Sequence, residues 1–248
     1  MNETLETLLN HRSIRSFKDK TLTQEELDII LEAASYASTS SYLMAYSIIG
    51  VTDQDKKAQL ASISNQPYIE KNGHFLLFCA DFHRHIRNTS AEEYENMRVN
   101  LENTEHFLVA TIDATLAAQN AAIAAESMGL GICYIGSIRN DIDKVDALFQ
   151  LPEHVVPLFG MAIGYPDAQP DQKPRLAKPA FYFENQYIST NDEANYLQKF
   201  DEKISDYYQN RTTNQRNDSW TDQMKHALST PKRARISTYV KEKGFNKR

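Results

Sequence analysis

Apolar residues recur at helical spacing through the first third of the chain, then give way to short unbroken apolar runs. Glu3 to Asn10 has a helix-like pattern. Thr23-Gln24-Glu25-Glu26 reads as a capping box ahead of Leu27, Ile30, Leu31 and Ala34, because the threonine and the glutamate three positions on can satisfy each other's backbone N–H groups. The hydroxyl run Ser38 to Ser41 ends that helix, and Tyr46 to Val51 predicts a strand. Phe75 to Ala80 is continuously apolar, which fits a strand covered on both faces. Two further runs, Ile132 to Ile138 and Val155 to Ile163, predict strands of the same kind. Between them, Leu108 to Met128 repeats alanine at helical spacing (Ala110, Ala114, Ala117, Ala118, Ala121, Ala122, Ala125), with Gly129 and Gly131 as its stop. Such small side chains let a neighbouring backbone approach closely, either within the chain or in a second subunit.

The texture changes near Gly164. Pro166, Pro170, Pro174 and Pro179 punctuate a loop that carries Lys173 and Arg175. Phe181-Tyr182-Phe183 and Tyr187-Ile188 predict a short strand or hairpin. The tail from about Asp192 is polar and helical, with Tyr196, Leu197, Phe200, Ile204 and Tyr207 on one stripe. It is too polar to form a core alone, so it is expected to wrap a body or a partner subunit.

The 248 residues suffice for one substantial domain, and 41% hydrophobic with 24% charged residues is ordinary soluble composition. A net charge of -6 argues against broad nucleic-acid binding and membrane-surface attraction, both of which favour a basic face. The stretch His106 to Met128 carries Asp113, Gln119, Asn120 and Glu126, a poor membrane span and a good buried helix. Cys79 and Cys133 sit in apolar runs without a C-x-x-C pair, as buried free thiols in a reducing compartment would. With no secretory pattern at the start, a cytoplasmic protein is expected.

Several familiar chemistries lack their motifs: no G-x-G-x-x-G, no Walker phosphate loop and no G-x-S-x-G elbow occurs. His83-Arg84-His85 reads as a solvated strand end and is weak metal evidence, and no metal is expected. Scattered polar anchors remain. His11-Arg12-Ser13-Ile14-Arg15 packs two guanidinium forks and a hydroxyl into five positions, and Lys173-Pro174-Arg175 is a second cationic point. Each reads either as solvated surface charge or as a seat for a small phosphate. Ser38, Thr39 and Ser40, the loop with Gln66 and Tyr68, and the strand end Tyr134-Ile135-Gly136-Ser137 complete the set. A glycine at 136 would let a flat ligand reach backbone amides. Together the anchors suit a ligand with a phosphate tail and a broad aromatic head that itself does the chemistry.

Those segments, with Ala118-Gln119-Asn120-Ala121, Ala124 to Gly131, Pro157-Leu158-Phe159-Gly160, Tyr207-Tyr208 and Asp218-Ser219-Trp220, give a chain that resembles the FMN-dependent nitroreductase family over nearly its full length. The likeness is to its NADPH-preferring, oxygen-insensitive nitroreductase and flavin reductase group. The resemblance implies an α+β fold: a mixed sheet flanked by helices, in a single domain over 1–248 with a core at 1–165. Residues 166–248 would carry the cofactor-phosphate loop and an extension exchanged in a homodimer. It implies bound FMN, NADPH as donor, and ping-pong two-electron reduction of small oxidants such as nitroaromatics, quinones, flavins or a disulfide, with no side chain as acid or base. A dedicated flavin reductase and a flavin-binding sensor or store without turnover are the alternatives.

By that resemblance Arg15, Lys173 and Arg175 hold the phosphate, and His11, Arg12 and Ser13 line the ribityl and pyrimidine side. Ser38, Thr39, Ser40 and Gln66 belong to the cofactor site, Thr39 and Gln66 reaching it from the other subunit. Tyr134, Ile135, Gly136 and Ser137 face the isoalloxazine edge. Arg211 and Arg216 grip the NADPH 2′-phosphate, and Tyr42, Met44, Tyr68 and the polar segment 88–103 shape the pocket mouth. Ser137 stands where many relatives have a second glycine, and Thr39 where serine is common.

Overall fold

The computed structural model describes residues 1–187, 191–211 and 215–248, and of 191–193 the backbone only. Two compact units form, residues 1–170 with 233–248, and residues 171–232. The first contains helices α1 (Glu3–Leu9), α2 (Gln24–Ser35), α3 (Gln54–Ser64), α4 (His83–Ile86), α5 (Ala91–Leu101), α6 (Thr104–Ser127) and α7 (Ile142–Phe149). Its strands are β1 (Tyr46–Val51), β2 (His74–Asp81), β3 (Gly131–Ile135) and β4 (Val155–Gly164). The second unit holds α8 (Asn191–Gln209) and α9 (Trp220–Ser229), and α10 (Arg235–Glu242) returns to the first.

The strands form one four-stranded sheet in the order β1-β2-β4-β3. Helices cover both of its faces. On β2, Leu76 and Phe78 pack with Ile30 and Ala34 of α2 and the alanines of α6. Phe75, Leu77 and Cys79 point the other way, onto Leu60 of α3 and Val145 of α7. All eight β2 residues are buried, as a strand between two helical layers requires. The α+β class is the one expected, but every described pairing is antiparallel rather than mixed. An unbroken apolar run reports burial on two faces and is silent about strand direction.

Thr23 makes the capping box with Glu26 that its spacing predicts. Helix α6 begins four residues before the alanine run suggests, because Asn103 caps it by accepting from Glu105 N–H. It is long and apolar enough to cross a membrane by length and composition alone, yet its alanines are core residues against the sheet. Its stop is Gly129, at φ +77°, whereas Gly131 lies in β3.

Four local expectations fail. The predicted strand Ile132 to Ile138 stops at Ile135, and Gly136–Asp141 is a 3₁₀ turn. Ile138 is buried either way, so the apolar run could not distinguish strand from turn. The residues His83 to His85 form a single helical turn instead of a strand end. Phe181 to Tyr187 form no strand; Phe183 and Tyr187 meet ring to ring at 4.6 Å, and Ile188 lies outside the described residues. The stripe on α8 is real, but its third buried member is Tyr208 with Phe200 and Ile204, and Tyr207 is only partly covered.

Candidate active site

The segment after α1 is a strap pinned to β3. Ile14 N–H donates to the Ile132 carbonyl at 2.9 Å, and the Ile14 side chain is buried. It presses so closely on Gly131 that a Cβ there would lie 2.5 Å from Ile14 Cγ1, so the strand needs glycine at this point. The burial of Ile14 sets its neighbours outward: Arg15 is exposed, and Arg12 and Ser13 are half-buried. His11 Nδ1 meets Glu126 Oε1 at 2.7 Å and ties the strap to the end of α6. Arg12, Asn10 and Glu126 border a cleft of about 950 Å³ that runs from α1 to Gly131.

At the end of β3 the structure brings three expected residues together with a thiol. The Tyr68 hydroxyl lies 3.5 Å from Cys133 Sγ. Burial raises the Tyr68 phenol pKa and contact with Cys133 adds to this, while the nearby Arg15 guanidinium pulls it down. Tyr68 is thereby kept a neutral hydroxyl beside a cation. Tyr134 is 37% exposed, its hydroxyl donates to Gln119 Oε1 at 3.3 Å, and its ring stands edge-on to Phe159. Ile135 is buried, and the 3₁₀ turn that starts at Gly136 has no side-chain cap. The first amides of such a turn lack helical partners. Gly136 has a use the sequence did not suggest: a Cβ there would come 3.2 Å from Arg139 Nη2, and Arg139 donates to the Leu158 carbonyl.

The hydroxyl loop is organised by a residue read beforehand only as a polar interruption. Asp113, fully buried in the middle of α6, accepts from Ser40 N–H at 2.9 Å and from Ala45 N–H at 3.0 Å. A lone carboxylate inside an alanine run was the available signal, since a buried charge must find donors. Between those two anchors Ser41, Tyr42 and Met44 adopt left-handed φ of 49°, 60° and 48°, costly backbone for non-glycine residues. Tyr42 is 82% exposed at the tip. Ser38 is exposed, and Thr39 and Ser40 are half-buried. Gln66 is half-buried just past the left-handed Asn65 that ends α3, and its N–H donates to Ala61 O at 3.1 Å. The polar segment 88–103 is largely α5, begun by a Ser90–Glu93 capping box.

In the second unit Lys173 and Arg175 are exposed, and Arg175 Nη1 donates to the Lys173 carbonyl at 2.6 Å. Arg175 also borders a 250 Å³ hollow with Tyr196, Phe200 and Lys203. Arg211 and Arg216, paired by the family resemblance, both lie over the Tyr208 ring, at 5.8 and 3.7 Å from its centroid.

The model of the "Nitroreductase family" matches residues 8–165, and that of the "Nitroreductase family, C-terminal domain" matches residues 173–248. The chain belongs to the nitroreductase family. It is 55% identical over 249 residues to a curated FMN reductase (NADPH) of Bacillus subtilis, covering 100% of both chains. It is 38% identical to the oxygen-insensitive NADPH nitroreductase of Salmonella typhimurium, covering 99% of each. Among solved structures, a nitroreductase from B. subtilis superposes with a TM-score of 0.94 at 54% identity, over 99% of this chain and 100% of that one. The nitroreductase fold that the resemblance implies is therefore the fold observed, with an antiparallel sheet.

Proposed function

We propose that this chain is an NADPH-dependent FMN oxidoreductase that passes two electrons to small oxidants such as nitroaromatics, quinones or free flavin. End-to-end similarity to family members that bear those activities in their names carries the reading. The residues present also fit the cofactor. Among the described residues, Arg15 meets the Tyr68 hydroxyl and Arg175 hydrogen-bonds only the carbonyls of Lys173 and Pro174, with no carboxylate paired to either. By contrast Arg84, Arg98 and Arg235 each carry a carboxylate. Guanidinium groups free of carboxylates are what a phosphate dianion needs.

Bound FMN supplies hydride chemistry between the donor and the oxidant. Arg15, Lys173 and Arg175 are assigned to its phosphate, and His11, Arg12 and Ser13 to the ribityl and pyrimidine side. Tyr134, Ile135, Gly136 and Ser137 offer backbone at the ring edge, where the uncapped turn leaves amides available. Ser38, Thr39, Ser40 and Gln66 complete the site, Thr39 and Gln66 from a partner subunit. Arg211 and Arg216 take the 2′-phosphate of the donor, and Tyr42, Met44 and Tyr68 shape the mouth. The loop strain at 41–44, held by Asp113, keeps Tyr42 out in solvent where an oxidant arrives.

The chain acts as a cytoplasmic homodimer, a single domain over 1–248 whose segment 166–248 wraps the partner. Leu108, Ile112 and Leu116, one turn apart on α6 and 49%, 50% and 43% exposed, give the partner an apolar stripe. A dedicated flavin reductase is the second reading, favoured by the name of the B. subtilis relative. Absorbance spectra of the purified protein test the main one: it should be yellow and bleach with NADPH faster than with NADH. A colourless protein, or one indifferent to both nucleotides, refutes it. Saturation by free FMN against saturation by a nitro compound separates the two readings.

A further inference from the structure

The two arginines assigned to the donor's 2′-phosphate share a single aromatic ring. Arg216 lies 3.7 Å above the Tyr208 centroid, close stacking contact for a guanidinium. Arg211 lies 5.8 Å from the same centroid and 5.7 Å from that of Tyr207. Tyr208 itself is 7% exposed, fixed against Phe200 and Ile204, with Trp220 beside them. Trp220 stands edge-on to Phe200 at 5.7 Å, and Thr221 N–H donates to Asp201 Oδ1, so α8 and α9 clamp the cluster.

Stacking matters because of which part of the guanidinium it uses. The ring takes the flat face and leaves the in-plane N–H fork available. For Arg216, Asp218 Oδ1 lies 3.0 Å from Nε and Gln223 Oε1 accepts from Nη2 at 2.8 Å. Among the described residues its Nη1 has no partner, and Arg211 has no carboxylate. Arg216 is thus held on three sides with one edge open, while Arg211 keeps an unneutralised charge nearby. Arginine carries high rotamer entropy, and a seat that removes it beforehand strengthens anion binding.

We infer that Tyr208 is a positioning residue for donor selection: its ring face seats Arg211 and Arg216 for a nucleotide 2′-phosphate, and so sets the preference for a phosphorylated dinucleotide over its unphosphorylated counterpart. The inference rests on the assignment of those arginines given above. The Tyr208 hydroxyl makes no hydrogen bond among the described residues, so the ring and not the hydroxyl does the work.

The test compares Tyr208→Leu with Tyr208→Phe in the purified, flavin-loaded protein. In Tyr208→Leu, the KM for NADPH and the calorimetric Kd for NADP⁺ should rise about ten-fold, the scale of a partly desolvated cation–π contact. The values for NADH, NAD⁺ and kcat should stay within about two-fold, since only the phosphorylated donor uses that seat. Tyr208→Phe should behave as the parent. Unaltered NADP⁺ affinity in Tyr208→Leu, or equal weakening toward NADP⁺ and NAD⁺, overturns the inference. Tyr208→Met, whose flexible side chain fills the same space, gives the same readouts should the leucine variant fold poorly. Arg211→Ala and Arg216→Ala separate the two levels. If neither weakens NADP⁺ binding, the phosphate assignment fails and the seat with it; if either does while Tyr208→Leu does not, only the seat fails.

Discussion

In the first unit the candidate cations Arg12 and Arg15 ride on backbone pinned to a sheet; in the second, Arg211 and Arg216 lie over tyrosine rings. Arg12 and Arg15 flank Ile14, whose N–H bonds β3 and whose side chain fills the gap over Gly131. One backbone hydrogen bond and one buried side chain thus tie the strap to a sheet that three clusters of buried side chains hold between helices. Among the described residues the second unit has one small buried cluster, Phe200, Ile204 and Tyr208, and Arg211 and Arg216 lie over its Tyr208 ring. Backbone pinned to a sheet opens only with the sheet, whereas a side-chain seat opens with a single small cluster.

Four changes would break or sharpen that contrast. The largest effect is expected from Phe200→Ala, which removes the ring that Trp220 packs against and should cost the second unit about 3 kcal/mol. Limited proteolysis should then cut faster within 171–232; an unchanged rate would mean that polar contacts, and not this cluster, hold the unit. Asp113→Ala comes next. It orphans the N–H groups of Ser40 and Ala45, one of them buried, and should lower stability by about 2 kcal/mol in thermal melts. A melt matching the parent would show that the strained loop at 41–44 does not depend on that carboxylate.

Arg15→Ala should weaken FMN retention by about ten-fold, through loss of a charge-assisted phosphate contact. The flavin-to-protein ratio after dilution and gel filtration reads this directly, and a full complement would remove Arg15 from the phosphate site.

The smallest effect concerns pH. His154 is 1% exposed, with Nε2 3.0 Å from the Tyr94 hydroxyl, and its N–H holds the chain end by donating to the Lys243 carbonyl. Burial holds its pKa below the ordinary 6.5; Lys247 and His83 push the same way, against Glu153 and Glu102. A buried neutral histidine favours the fold while the unfolded chain is also neutral. Below pH 6.5 the unfolded chain takes up the proton first, and stability falls as pH drops toward the folded value. Melting temperature should therefore decline between pH 7.5 and pH 5.5, and His154→Gln should flatten the decline by about 1 kcal/mol or less. Part should persist, because His74 is shifted the same way by burial and by Lys57. An identical slope in the variant would absolve His154.

Periodicity was enough for most of the architecture. The capping box at Thr23 and the covered run of β2 follow from local chemistry that neighbours only reinforce. It could not tell a strand from a buried 3₁₀ turn at Gly136–Asp141, nor the direction of the strands, since both share one pattern of burial. Likewise the cationic points His11 to Arg15 and Arg211 with Arg216 were legible as residue types, but not what seats them.

What the chain carried by itself is most of its helices and strands, while the α+β class and the candidate-site residues could be named only through its resemblance to a family. Tertiary structure alone decided that Ile14 nails the strap to β3, that Asp113 reaches two amides 68 and 73 positions away, and that two arginines share Tyr208. Contacts between residues distant in sequence leave no local period, and a buried polar group declares its partners only once the chain has closed around it.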